Sequence, residues 1–310
     1  MKKTKHNAAI CLFFAVTGII FYSCSGDSSN TWFVEAKFEK AWEQILANAN
    51  PPSGFVEEIQ AWDGGDLPEG QGILIASKPW KTQERISVYR YLPYELEHNG
   101  ALLLALNPWM VFYKYRDPPL TAERAYSLAG GDGTLLLPGQ DSSSVDAWIA
   151  RMLQTSPGVF SADENSWLAL KNNLFSGSRF PNGSQTYTWQ DVFFRLMGNE
   201  TAWVYAPLNI IRSYPNPRKS ILTVLPFPEH APDGQYSLQA QLLWALPINS
   251  GEANEKIQIV MKWLKDPKTQ TIIANAIEWM PADPYGIPYD PVSLASHRNW
   301  ITATWVYEVE

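Results

Sequence analysis

Apolar positions along the chain fall into two kinds of run, one with helical spacing and one nearly continuous. Phe38, Ala41, Trp42, Ile45, Leu46 and Ala49 recur every three or four residues, which predicts a helix stopped by Pro51 and Pro52. Residues 55–62 predict a strand entering the turn Asp63-Gly64-Gly65-Asp66. Residues 72–77 form a short, unbroken apolar run of the kind a buried parallel strand carries. Residues 85–92 alternate weakly. The segment 101–115 is apolar or aromatic almost throughout, with Asn107-Pro108 in its middle. A proline cannot donate to a ladder, so two strands, or a strand and a bend, are expected there.

Further along, a short helix is expected at 121–129, and Gly130-Gly131-Asp132-Gly133 turns into a strand at 134–137. Helices are expected at 143–153, 163–175 and 188–196. Strands are expected at 201–205 and 220–225, joined by a proline-rich loop, and at 236–246. Helices at 252–264 and 267–277 follow. In the first of these, Ala253, Ile257, Val260, Met261 and Leu264 keep one apolar face. Asp266-Pro267 is a start signal for the second: aspartate caps free N–H groups, and proline suits a first position whose N–H has no helical partner. The tail after Pro281, rich in Pro, Asp and Tyr, is expected to wrap the surface. Strands alternating with helices argue for α/β layers, and two such sets imply two lobes.

The start of the chain is patterned differently. Lys2, Lys3 and Lys5 precede an apolar run at 8–21, which Phe21-Tyr22-Ser23-Cys24 closes before the small polar residues 25–30. That run is too short to span a bilayer, so residues 1–23 are expected to be a signal peptide. The box ending at Cys24 resembles a bacterial lipoprotein cleavage site in a loose form, with Phe21 where leucine is usual. The resemblance implies an acylated Cys24, a tether over 24–30 and a lipid anchor in the cell envelope, on the periplasmic or extracytoplasmic side. An ordinary secretory signal with an incidental cysteine is the alternative. Either way the protein leaves the cytoplasm.

Composition narrows the chemistry. Loss of the signal takes Lys+Arg from 24 to 21 against 31 Asp+Glu, a net charge of −10, and leaves no basic stripe for nucleic acid. Cys11 departs with the signal and Cys24 carries lipid, so no disulfide is expected in the mature fold. His6, His98, His230 and His297 are scattered, and neither a metal site nor a cofactor is expected. There is no G-x-S-x-G and no Walker loop; Gly130–Gly133 is too short to cradle phosphates, and no catalytic residue is proposed. The chain is rich in rings, with 14 Trp, 14 Tyr and 13 Phe, enough to fill cores and still line a cleft. Sugars present C–H faces that stack on such rings, so an uncharged polar solute fits this composition better than phosphate or metal.

The stretch 236–282 carries a resemblance to a known family. YSLQAQLLWALPINS is followed by GEANEKIQIVMKWLKDPKTQTIIANAIEWMPA, pairing a strand with two helices. Within it Trp263-Leu264, Asp266-Pro267, Gln270 and Trp279-Met280-Pro281-Ala282 fall at the family's spacing. Upstream, FFRLMGNETAWVY (193–205), LTVLPFP (222–228) and LALNPWMVFY (104–113) match in order. The set is similar to the sugar-type extracellular solute-binding proteins of ABC importers. It implies a two-lobed periplasmic-binding-protein-like fold with a hinge and an interlobe cleft. Lobe I would comprise 31–115 plus about 243–285, lobe II 116–242, with the lobe of the tail 286–310 left open. The resemblance further implies a monomer that delivers a small solute, a carbohydrate, to ABC permease subunits and is not an enzyme. Gln239-Ala240-Gln241 stands where the family often has a glycine pair, so an amide replaces close backbone approach to the ligand.

Candidate ligand residues follow from these segments. Gln239 and Gln241 share one strand face by their period of two, and Trp244 lies beyond them. Trp203 and Tyr205 share a face of the strand at 201–205. Trp279 follows a helix, and Trp62 with Asp63 stands at a strand-end turn. Each has a plainer alternative, core packing for the rings and a solvated turn for Trp62–Asp63. Trp80 and Trp109, both beside prolines, are more distant candidates. Two other functions stay open: an interaction lipoprotein with a degenerate pocket on the same fold, and a secreted carbohydrate-active enzyme.

Overall fold

A computed structural model of the protein describes residues 30–53, 58–79, 86–90, 96–113, 134–154, 164–176, 180–198, 202–214, 222–226, 237–249, 254–300 and 305–309. The signal, Cys24 and most of the tether, Trp80, the helix expected at 121–129 and the turn 130–133 lie outside them.

The chain forms a two-lobed α/β fold around one curled sheet. Strand β1 (Thr31–Glu35) is flanked by parallel β2 (Ile59–Trp62) and β3 (Gly72–Ala76), with helix α1 (Glu39–Asn48) between β1 and β2 in sequence. The unbroken run 72–77 becomes β3, buried at every position and parallel to β1, but antiparallel to β10 (Ser237–Ile248) on its other side. A Cβ on Gly72 would overlap the Thr31 carbonyl, so only glycine lets β1 and β3 approach there.

Two further short strands, β4 (Ile86–Arg90) and β5 (Glu97–His98), lead to β6 (Ala101–Tyr113). β6 is one continuous strand, not the two segments its proline led us to expect. The reason is a change of partners at Pro108. Up to that residue β6 is antiparallel to β10, and it also pairs with β11 (Met280–Pro281) at Ala105 and Leu106. From Trp109 onward it pairs with β8 (Ala202–Pro207), and from Met110 with β9 (Thr223–Pro226). The proline sits at the junction of these ladders, where its missing N–H interrupts none of them. β7 (Thr134–Leu136) continues the sheet parallel to β8, so the central path runs β2-β1-β3-β10-β6-β8-β7.

Helices α2 (Ser142–Gln154), α3 (Glu164–Asn173) and α4 (Trp189–Gly198) form close to their expected positions. Between β8 and β9 the structure adds α5 (Leu208–Ser213), in the part of the expected loop between Pro207 and Pro215. Helices α6 (Glu255–Leu264) and α7 (Pro267–Ala276) are both capped by side chains. Asn254 accepts from the Ile257 N–H at 3.3 Å and Asp266 from the Thr269 N–H at 3.1 Å, with Pro267 opening α7. The tail is more ordered than a surface wrap. It forms α8 (Pro291–Trp300), which packs on β9 and α5, and β12 (Trp305–Val309), parallel to the start of β10 and antiparallel to β4. A strand that exists by pairing with distant partners leaves little local pattern to read.

Three large apolar clusters hold this arrangement among the described residues, with a small fourth of Phe33, Leu74, Ala76 and Ile248 on the opposite face of β1 and β3 from the first. The first joins β1, β3 and the nearer ends of β6 and β10 to α1, α6 and α7 through Trp32, Trp42, Ile75, Leu243, Val260 and Ile273. The second joins the far end of β6 and β8 to α2 through Trp109, Val111, Trp148, Trp203 and Tyr205. The third lies across the other face of β6, β8 and β10 without interruption, from Leu103 and Trp244 to Phe112 and Val204, under α4, α5 and α8. Trp148, 1% exposed, meets the Tyr205 ring edge-on at 5.9 Å; truncating such a buried indole costs about 3–5 kcal/mol.

Candidate functional site

Alternation along β6 and β10 builds a polar seam between the first two clusters. Past a bulge at Leu104, one face of β6 carries Ala105, Asn107, Trp109 and Val111, and the same face of β10 carries Gln239, Gln241, Leu243 and Ala245. Ala105, Leu243 and Ala245 belong to one cluster, Trp109 and Val111 to the next. Three amides, Asn107, Gln239 and Gln241, fill the interval between them. The opposite face stays apolar across the same stretch, through Leu106, Met110, Ala240 and Leu242.

These amides are tightly bonded. Asn107, fully buried, donates from Nδ2 to Asn209 Oδ1 and to Gln241 Oε1, both at 2.8 Å, and its Oδ1 accepts from the Asn209 backbone N–H at 2.9 Å. Tyr205 donates its hydroxyl to Gln239 Oε1 at 2.7 Å, and its ring lies 5.4 Å from that of Trp109. Asn209 and Gln241 are half-buried, so the seam meets solvent at their side chains. Amides offer both donors and acceptors to hydroxyls, while the neighbouring rings of Tyr205 and Trp109, 0% and 4% exposed, pack in the second cluster behind them. Among the described residues no three His, Cys, Asp or Glu side chains gather as a metal-binding group.

The eight expected ligand residues separate into groups. Gln239, Gln241 and Tyr205 meet in the seam. Trp203, two residues before Tyr205 on the same face of β8, is 3% exposed and packs 6.4 Å from Trp148. Trp244 stands on the opposite face from the glutamines, as its even spacing from Leu242 and Ala240 demands, and packs in the continuous cluster with His98 at 6.2 Å. Trp279 is buried edge-on against Phe38 at 5.4 Å. Trp62 and Asp63 lie at the end of edge strand β2, three strand spacings or roughly 14 Å from β10. There Trp62 Nε1 donates to the Asp66 carbonyl at 3.0 Å and Asp63 accepts from the Gly65 N–H at 3.0 Å. Asn107 and Asn209 were not singled out from the sequence. The signal for Asn107 was present: it is the one polar side chain within the apolar run of β6.

A buried cation braces the neighbouring elements. Arg212 on α5 donates to the Trp279 carbonyl at 2.6 Å and to Asn275 Oδ1 on α7 at 3.0 Å, and pairs with Asp290 at 3.1 Å. Burial pulls its guanidinium below the usual value, opposed by the charges of Asp290 and Glu278. The Trp279 carbonyl is aimed by the end of α7. The Trp279 N–H bonds to the Ala274 carbonyl at 2.8 Å and the Glu278 N–H to the Asn275 carbonyl at 3.3 Å, a Schellman arrangement with Glu278 at φ 60°. On α8, burial pushes the His297 imidazole below its usual range, against the opposing pull of the Asp283 carbonyl and charge.

No protein-family model matches the sequence, and no curated protein matches it. Solved structures match its fold. The chain is similar to the bacterial solute receptor AcbH, which has an exclusive preference for β-D-galactopyranose, with a TM-score of 0.59 and 14% identity over 90% of this chain and 87% of that one. It is also similar to a putative binding protein of Bacillus subtilis in an open conformation, with a TM-score of 0.60 and 12% identity over 92% and 88%. The Bordetella ferric binding protein follows, with a TM-score of 0.53 and 15% identity over 86% and 90%. At these identities the likeness is one of fold, the two-lobed fold of bacterial solute-binding proteins, in which sugar and ferric-iron binders both occur.

Proposed function

We propose that this chain is the solute-binding component of an ABC importer, anchored outside the membrane by a lipid on Cys24. Two lobes, 31–115 with about 243–285 and 116–242, close about β6 and β10 on a small polar solute, and the closed form docks on permease subunits. In the tail, the packing of α8 on β9 and α5 supports assigning that helix to lobe II, while β12 bridges β4 of lobe I and the start of β10. The solute is a carbohydrate. The observation that carries this reading is the seam itself: amides of Asn107, Asn209, Gln239 and Gln241 beside the rings of Tyr205 and Trp109, where β6 and β10 run from the β3 side of the sheet toward β8. Hydroxyls would exchange water for amide hydrogen bonds while C–H faces leave water against the rings. Ferric iron is less well served, because a hard cation seeks several anionic oxygens and the seam supplies amides with one phenol, Tyr205, whose hydroxyl is bonded to Gln239.

Isothermal titration with neutral mono- and disaccharides, on protein unfolded and refolded to strip carried-over ligand, tests the reading. Saturable heat with at least one sugar is expected; silence across the panel would overturn it. A second reading, an interaction lipoprotein with a filled cleft, is favoured by one observation, that Asn107, Asn209 and Gln241 already bond to one another. Native mass spectrometry separates the two, since a receptor carries its solute through gentle purification and a filled cleft carries none.

A further inference from the structure

We propose that Gln239 and Gln241 present two donor-only contacts to oxygen atoms of the solute, with Tyr205 and Asn107 as the positioning residues that hold each amide in that sense. The inference rests on the solute-binding reading and goes one step beyond it, to the polarity of the contacts. The two glutamines share one face of β10, two residues apart, so their side chains leave the strand roughly 7 Å from each other. In both, the carbonyl oxygen is already committed. Gln239 Oε1 accepts from the Tyr205 hydroxyl at 2.7 Å, and Gln241 Oε1 accepts from Asn107 Nδ2 at 2.8 Å. In both, the amide nitrogen is uncommitted among the described residues. For Gln239 this is conspicuous, because the residue is 1% exposed and its Nε2 is a buried donor without a partner. Native folds rarely leave such a donor unpaired, and those they leave call for an explanation.

An amide can turn about its last torsion and exchange oxygen for nitrogen, so the sense observed needs a cause. Asn107 supplies one for Gln241. Its own Oδ1 is held by the Asn209 backbone N–H, so its Nδ2 must face outward as a donor and Gln241 must answer with oxygen. Tyr205 supplies the other, since a phenol gives its proton more readily than it accepts one, its oxygen lone pair being drawn into the ring. The consequence is selective. A sugar hydroxyl, ring or carbonyl oxygen can accept from both nitrogens, whereas a metal cation gains nothing from either.

The test uses titration of the full mature chain with galactose, glucose and maltose, followed by the monodeoxy analogues of whichever binds best. Gln239→Glu keeps an oxygen for Tyr205 and replaces the donor by an acceptor; it should lose at least tenfold in affinity. Tyr205→Phe removes one atom and frees the Gln239 amide to turn. It should bind severalfold more weakly, and the penalty for one monodeoxy analogue, present in the wild type, should vanish. A merely structural role for Tyr205 would weaken all analogues equally and overturn the proposal, as would wild-type affinity in both variants. If Gln239→Glu fails to fold by circular dichroism, Tyr205→Phe and Gln239→Met carry the same test. A wild-type protein silent toward all three sugars overturns the solute-binding reading instead, and so is distinguished from failure of this inference.

Discussion

Asn107 and Gln241 face each other as register partners on β6 and β10, and their side-chain amides are hydrogen-bonded at 2.8 Å. The bond lies one residue before β6 changes partners at Pro108, so it ties the two shared strands together at the point where the sheet is handed from β10 to β8. Asn107→Leu keeps the volume and removes three hydrogen bonds at once. Asn209 and Gln241 are half-buried and recover part of the loss from water. A destabilisation of about 2–3 kcal/mol in urea unfolding is expected. An unchanged midpoint would mean that the amides contribute nothing to the junction.

Glu278 sits at φ 60°, the left-handed conformation that glycine adopts without strain at the end of a helix. Glu278→Gly should therefore stabilise the protein by about 0.5–1 kcal/mol, less the entropy that glycine adds to the unfolded chain and the small loss of charge near Arg212. A lower thermal midpoint would show that the glutamate side chain matters more than its backbone.

Arg212 has a side chain only 13% exposed and bonds to Asn275 on α7, to the Trp279 carbonyl just after that helix and to Asp290 just before α8. Replacing it with methionine leaves the Trp279 carbonyl and Asp290 without their cation, at a cost of roughly 3 kcal/mol. Arg212→Lys reaches fewer of these partners and should fall between the two. Equal stability of all three proteins in guanidinium unfolding would contradict the brace.

His297 is 5% exposed and held below its usual range by burial, so the unfolded chain takes up the proton more readily than the folded one. Stability then declines as pH falls below about 6.5, and the decline levels off once the folded imidazole itself is protonated. Thermal midpoints measured from pH 7.5 to 5 should slope downward in the wild type and less steeply in His297→Gln. Parallel slopes would exclude His297 as the titrating group.

For the anchor, Cys24→Ala should abolish palmitate labelling and leave the chain out of the detergent-extracted membrane fraction, or trap it as unprocessed precursor. Labelling that persists would refute lipidation at this residue.

Much of the layer structure was legible because its signals are local. Asp266-Pro267 starts α7 through donors within one turn, and the spacing of Ile257, Val260, Met261 and Leu264 sets the buried face of α6 whatever lies beneath. The candidate site was legible in part. Gln239, Gln241 and Tyr205 followed from period-two alternation and from the family resemblance. Trp244 was grouped with the glutamines, although odd and even positions of a strand point to opposite faces, and the structure keeps that parity. Asn209 had no signal, because its role depends on a helix that the prolines beyond Ser213 had obscured.

The sequence by itself determined where most helices begin, which runs are buried and that strands and helices alternate as α/β layers, since these follow from spacing and capping within a few residues. The tertiary structure alone decided that β6 passes through Asn107-Pro108 unbroken, that the tail closes the sheet as β12, and that four amides converge beside Tyr205 and Trp109. Each of these depends on a partner more than 30 residues away or on which ladder occupies a strand's edge, and no local pattern of apolar and polar side chains encodes either.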